Sequence, residues 1–194
     1  AALGAATSPG DIRYKDLNND GVINTNDRTD IGKPIPDATM GFNLQLTYKA
    51  VDFAVFTFAS IGNDMARNYE RTLSDANRLD YVLDRWTGEG TSNTVPRVTT
   101  GATANNVFSD YFVEDGSFVR LRNLQFGYTL PSTLLRKIHV ESLRVYVAAN
   151  NLITLTRYMG FDPDLGSSSV LSAGVDYGMY PQARSLMSGL QIKF

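Results

Sequence analysis

The sequence predicts an all-β chain: antiparallel strands of a large transmembrane β-barrel, with long extracellular loops on one side. Three observations carry this. Five runs alternate apolar and polar residues with a period of two, as strands with one greasy face do. Each run has about 10 residues or more, roughly the length that crosses a bilayer at a tilt. The connections alternate short and long: two or three residues, then about 55, about 11 and about 28. Loops beyond about 15 residues are uncommon in compact soluble domains, whereas outer-membrane barrels join short periplasmic turns to long extracellular loops.

Residues 1–39 precede the first run and read as an extracellular loop segment. Within it, Asp16 to Asp27 has the spacing of an EF-hand-like calcium loop. Asp16, Asn18, Asp20, Asn24 and Asp27 place side-chain oxygens at loop positions 1, 3, 5, 9 and 12, and Val22 offers its carbonyl at position 7. Gly21 at position 6 permits the sharp turn, and Ile23 points away from the ion to pin the loop. Ser8-Pro9-Gly10 and Gly32-Lys33-Pro34-Ile35-Pro36 break helices on both sides, so the site reads as a structural Ca2+ staple rather than a sensor. The alternative is a solvated Asn/Asp/Gly-rich loop with no ion.

Residues 40–194 hold the five runs. In the first, Met40, Phe42, Leu44, Leu46 and Tyr48 share one face, with Gly41, Asn43, Gln45, Thr47 and Lys49 on the other. A tight turn near Ala50 leads to the second, 51–61, which is apolar on both faces. The third, 117–130, sets Leu124, Phe126 and Tyr128 against Asn123, Gln125 and Gly127. The fourth, 142–155, sets Leu143, Val145, Val147 and Ala149 against Arg144, Tyr146 and Asn150. The last, 184–194, sets Leu186, Leu190, Ile192 and Phe194 against Gln191 and Lys193. Outward apolar faces put Tyr48, Phe53, Tyr128 and Phe194 near one interface, as an aromatic girdle. Asn43, Gln45, Asn123, Gln125, Tyr146, Asn150, Gln191 and Lys193 then look into the lumen, against a plug or a solute. Arg120 and Arg122 share the parity that faces lipid lower down. They are therefore expected at or above the extracellular boundary, paired with acidic loops or lipopolysaccharide phosphates. Five strands cannot close, since the smallest membrane barrels need about eight, so the chain is expected to be a segment of a larger barrel.

The two long loops are 62–116 and 156–183. In the first, Ser74 is a candidate cap for a helix with Leu79, Val82, Leu83 and Trp86 on one face. That stripe packs the loop onto the barrel rim or a partner; alternatively Trp86, with Tyr69 or Tyr81, stacks on a sugar ring while Asp80 or Arg85 bonds its hydroxyls.

Composition narrows the function. A net charge of −2 without a Lys/Arg run gives no nucleic-acid footprint. With no cysteine there are no disulfides and no thiolate sites. The single histidine, His139, excludes a His-rich metal site and stands far from any acid cluster, so an enzyme is not expected. No apolar window is long enough for a transmembrane helix, and the N-terminus lacks the basic start of a signal peptide.

Several strings resemble the SusC/RagA family of TonB-dependent outer-membrane transporters. They are Pro9 to Asn18 running through the calcium loop to Ile31-Gly32-Lys33-Pro34-Ile35-Pro36-Asp37, Gly62-Asn63-Asp64, Arg85-Trp86-Thr87-Gly88-Glu89-Gly90 with Val95-Pro96-Arg97, Asp115 to Asn123, Asn150-Asn151-Leu152, and Tyr180-Pro181-Gln182-Ala183-Arg184 on to Phe194. The resemblance implies the C-terminal strands of a plugged barrel of about 22 strands, in the cell outer membrane of a Bacteroidetes-like Gram-negative bacterium. It implies glycan or peptide uptake, a SusD-like surface lipoprotein as lid, the remainder of the barrel with its plug domain, outer-membrane lipid around it, and the TonB complex as energy source. The strings include no plug, TonB box or leader, so this segment is not expected to transport by itself. Two rivals belong to other classes. One is a secreted soluble β-sandwich carbohydrate-binding module with a dockerin-like calcium loop; the other is a glycoside hydrolase, for which no facing carboxylate pair is readable.

Overall fold

The computed structural model describes residues 7–69, 78–101, 103–136, 140–165 and 172–194. The chain divides into two compact units: described residues up to Ile31 together with those from Asn68 to Phe112, and Gly32–Arg67 together with Val113–Phe194.

The second unit carries the wall. Strand β1 (Ala38–Tyr48) turns through Lys49 and Ala50 into β2 (Val51–Ile61). Lys49 takes φ 55° in that two-residue link, a left-handed conformation that tight hairpins require. The short strands β3 (Asp64–Arg67) and β4 (Val113–Asp115) precede β5 (Phe118–Thr129). A single helical turn, α1 (Ser132–Leu135), leads to β6 (Ser142–Thr156), then β7 (Val175–Asp176) and β8 (Ser185–Lys193). The large sheet runs β1-β2-β5-β6-β8, each neighbour antiparallel, and each strand lies on one of the alternating runs.

Register makes the greasy face continuous. Tyr48 lies opposite Val51, Val51 opposite Tyr128, Tyr128 opposite Val145 and Val145 opposite Leu190. One rung further, Leu46, Phe53, Phe126 and Val147 align in the same way. Among the described residues much of these rows stays open: Tyr48 is 72 % exposed, Val147 55 % and Leu190 66 %. A soluble sandwich packs such rows against a second, facing sheet, which the described residues do not supply. An uncovered apolar sheet face of bilayer-crossing length is the outer surface of a membrane barrel.

The buried core sits at the long-loop end instead. Strands β4, β3 and β7 form a small second sheet, with β3 and β7 parallel. Around it Met65, Phe118 and Tyr158 are buried together with the charged residues Arg67, Arg120, Asp162 and Asp176. Strands of four, three and two residues are too short to show a period, and the sequence gives no sign of this sheet.

The other unit is organised on Asp11. Its carboxylate accepts from Arg97 Nε at 2.7 Å and Nη2 at 3.1 Å, from Asn105 Nδ2 at 3.0 Å and from the Ser8 N–H at 2.8 Å. The Arg97 N–H donates to the Gly10 carbonyl at 2.8 Å, so two distant segments close on each other. The guanidinium of Arg97 holds the Asp11 carboxyl below its usual range.

Candidate functional site

The polar face of the large sheet is the first candidate. Asn43 lies opposite Phe56, Gln45 opposite Ala54, Asn123 opposite Asn150, Gln125 opposite Ala148, and Tyr146 opposite Gly189. Gln191 pairs with Arg144 and Lys193 with Ser142, so all eight predicted lumen residues share one face. Asn123 Nδ2 donates to Asn150 Oδ1 at 2.9 Å, and Asn150 Nδ2 to Ser185 Oγ at 3.1 Å, forming a ladder across three strands. Nearer the short turns, Arg144 Nε donates to Asp52 Oδ1 at 2.8 Å and Nη2 donates to Oδ2, a two-pronged pair. That pair passes over β5 at Gly127, where a Cβ would stand 2.4 Å from Asp52 Oδ1 and 2.6 Å from Arg144 Nη2. Gly189 similarly underlies the Tyr146 ring, whose Cζ is 2.5 Å from where a Cβ would stand. Alternation puts Arg144 on this face; that it meets Asp52 depends on register, which the sequence does not display.

The arginines of β5 require a correction. Between Leu121 and Asn123 the pairing slips: Leu121 faces Ile153 while Asn123 faces Asn150, and on the other side Phe56 faces Asn123 while Thr57 faces Leu121. Against β2, Arg122 is the extra residue of a β-bulge, whereas on the β6 side Asn151, at φ 51°, and Leu152 both stand opposite it. One extra residue reverses the parity of everything above it. Arg120 therefore turns to the polar side and is 2 % exposed, while Val119 takes the outer side. The lipid-facing parity expected of both arginines is wrong for that reason.

The expected acidic partners are present. Arg120 donates Nε to Thr154 Oγ1 at 2.9 Å, Nη1 to Asp164 Oδ2 at 3.2 Å, and Nη2 to Asp162 Oδ1. Asp162 also accepts the N–H of Asp164 and of Gln182, each at 2.8 Å, and so draws two stretches of the second long loop together. Tyr158 Oη donates to Asp176 Oδ2 at 2.6 Å, and Asp176 accepts the N–H of Gly178 at 2.8 Å. Sequence reasoning missed Asp162, Asp164 and Asp176 because loop residues carry no periodicity.

Each oxygen-bearing side chain of the predicted calcium loop accepts from a backbone N–H, and Asp20 Oδ2 accepts from Asn18 Nδ2 at 2.9 Å. Asp16 accepts from Asn19 at 2.7 Å and Gly21 at 2.8 Å, Asn18 from Asp20 at 2.9 Å, and Asp20 from Val22 at 2.8 Å. Asn24 accepts from Asn26 at 2.8 Å, and Asp27 from Leu17 at 2.9 Å and Asn24 at 2.8 Å, which ties the end of the loop to its start. The Asn24 and Leu17 N–H groups hold the Asp27 carboxyl below its usual range. Gly21 takes φ 82°, and Ile23 is buried as the spacing required. Among the described residues no three His, Asp or Glu side chains converge as a metal cluster. Asp16, Asp20 and Asp27 therefore do not form such a set, and Asn24 Nδ2 donates to the Val22 carbonyl at 3.3 Å.

The residues of the predicted sugar platform are placed as follows. The passage is a 3-10 turn, Asp80–Asp84, ended by Arg85 with ψ 155°, not an α-helix. Leu83 is 78 % exposed, so the expected four-residue stripe does not form: a five-residue 3-10 turn has no 3.6-residue repeat to align it. Trp86 packs on Gly10, where a Cβ would lie 2.3 Å from its ring, and its N–H donates to the Val95 carbonyl at 2.9 Å. Tyr69, Tyr81 and Arg85 are half-buried and Asp80 is exposed. Ser74 and His139 lie outside the described residues.

No family model matches the chain. TonB-dependent receptor P3 of Formosa agariphila is 39 % identical over 203 residues, taking in 100 % of this chain and 20 % of that protein. TonB-dependent receptor SusC of Bacteroides thetaiotaomicron is 29 % identical over 93 % of this chain and 17 % of its own length. Among solved structures, the RagAB peptide transporter superposes with a TM-score of 0.67 at 29 % identity, over 83 % of this chain and 17 % of that one. The chain thus spans about a fifth of the length of the curated relatives it matches.

Proposed function

Because this chain belongs to the SusC/RagA family of TonB-dependent receptors, we propose that it forms part of the wall and rim of an outer-membrane importer of glycans or peptides. The observation that carries the reading is the two-faced sheet: uncovered apolar rungs on one side, polar and charged side chains on the other. In this role the apolar rows face acyl chains and the polar face lines an enclosed lumen shared with a plug. The long-loop end meets a SusD-like lipoprotein lid, and the TonB complex supplies energy through parts of the receptor beyond this segment. The rim cluster of Arg120, Asp162, Asp176 and Tyr158 shapes the mouth. The segment contributes structure and solute contacts, not bond chemistry.

The test attaches bimane at Phe126→Cys or Gln125→Cys in the whole receptor, reconstituted in lipids brominated along the acyl chains. Quenching at position 126 and not at 125 is expected. Equal quenching at both, or at 125 alone, contradicts the assignment of faces.

A structural Ca2+ belongs to the same reading, held by Asp16, Asn18, Asp20, Asn24, Asp27 and the Val22 carbonyl. Support comes from the loop spacing and from the backbone N–H groups that orient each oxygen-bearing side chain. Terbium luminescence titrated with Ca2+ tests it: Asp16→Ala and Asp20→Ala are each expected to remove the signal, and a signal that survives both refutes it.

A further inference from the structure

We propose that Arg122, with the Phe58 ring beneath it and the Asn123–Asn150 pair beside it, is a subsite for a carboxylate group of the solute that passes this wall. The proposal rests on the reading of the polar face as lumen. Bulges re-aim single side chains, and against β2 the extra residue is the arginine itself. Its guanidinium carbon lies 4.3 Å from the Phe58 ring centroid, on the same side as the amide ladder.

The contrast with Arg120, two residues away, shows what Arg122 is free to do. Arg120 is 2 % exposed and spends its donors on Thr154, Asp162 and Asp164. The side chain of Arg122 is 37 % exposed and makes one hydrogen bond, from Nη2 to Asp164 Oδ2 at 2.8 Å. Its Nε and Nη1 have no partner among the described residues. A guanidinium carries its five donors in two forks, and one bond to Asp164 occupies one fork at most. The other fork remains whole, on a side chain that lies over the Phe58 ring and is part exposed. Arg120 and Arg122 are matched in charge by Asp162 and Asp164, so attraction comes from directed donors and not from net charge. A fork of this kind favours a planar carboxylate over its ester. Acidic peptides and uronate-containing glycans both carry that group.

The experiment titrates the whole receptor with two probes, a glutamate-rich peptide and an oligouronate, each beside its methyl ester. The wild type is expected to bind at least one acid about tenfold more tightly than its ester, as one charge-assisted hydrogen bond in place of a neutral one allows. Arg122→Gln is expected to abolish the preference while leaving ester affinity unchanged. The arm that responds identifies the source, peptide or glycan. Asp164→Asn frees the second fork and is expected to sharpen the preference by about threefold; it decides the matter if Arg122→Gln fails to show the heat-modifiable migration of a folded barrel. Equal binding of acid and ester in both arms, no binding of either acid, a retained preference in Arg122→Gln, or a weakened one in Asp164→Asn overturns the subsite. Its failure with correct quenching at positions 125 and 126 leaves the wall assignment standing, whereas quenching on the wrong face removes both.

Discussion

Replacing Arg120 with Met keeps length and volume while deleting the charge at the centre of the rim. The structure sets the magnitude. Arg120 is 2 % exposed and its main acidic partner Asp162 is 6 % exposed, so the variant strands a carboxylate in a site where water does not replace the cation. Breaking such a buried pair from one side costs about 3–5 kcal/mol. Asp162 keeps the N–H groups of Asp164 and Gln182, and Asp164 keeps Arg122 at 2.8 Å, which places the effect at the lower end, about 3 kcal/mol. At about 1.4 kcal/mol per tenfold, local opening becomes about a hundredfold more frequent. Hydrogen exchange at the Asp164 and Gln182 amides in the whole receptor reads that opening directly, because both bond to Asp162. Arg120→Met combined with Asp162→Asn removes both charges and is expected to return exchange to within about tenfold of wild type. Exchange in Arg120→Met within about threefold of wild type, or a double variant no milder than the single one, refutes the reasoning.

Three other perturbations test other parts of the chain. Gly127→Ala drives a methyl into the Asp52–Arg144 pair, 2.4 Å from one partner and 2.6 Å from the other, so the pair separates at a cost of about 1–3 kcal/mol; urea unfolding of Gly127→Ala against wild type measures it. Gly10→Ala meets the Trp86 ring at 2.3 Å and must also hold φ 87°, adding about 1–2 kcal/mol of backbone strain; faster proteolysis near Trp86 is the readout. The Asp11 carboxyl sits lower in the folded chain than in the unfolded one, so its contribution is complete above the unfolded value of about 3.9 and disappears as pH falls through the lower folded value. Protease resistance between residues 97 and 105 is therefore expected to stay flat from pH 7 to 5 and fall in stronger acid, and Asp11→Asn is expected to lack it throughout.

The large sheet was legible because its two faces meet different surroundings, so every second residue in five long runs is apolar. Even the bounds of β2 follow from the runs. What hid was whatever depends on a single residue or on a partner far along the chain. The bulge at Arg122 inserts one residue into an otherwise regular alternation and reverses the side for Arg120, with the Asn150-Asn151 pair as its sole sequence trace. The acids that receive Arg120 lie more than 40 positions away in a loop without periodicity. The tight turn of residues 16–27 was legible from spacing alone, since its side-chain acceptors and the N–H groups they bind lie within twelve consecutive residues. The passage around Trp86 was read as a helix because Leu79, Val82, Leu83 and Trp86 are apolar, yet a 3-10 turn leaves Leu83 in the open.

The parallel contact of β3 with β7 sets an order of assembly. Ala66 pairs with Val175, about 110 positions along the chain, and bringing such distant segments together in an unstructured polymer is slow and entropically unfavourable. Once β2, β5, β6 and β8 have zipped neighbour to neighbour, the same two segments are delivered to one end of the sheet and the remaining search is short. The small sheet is therefore expected to form after the strands beneath it have paired in register.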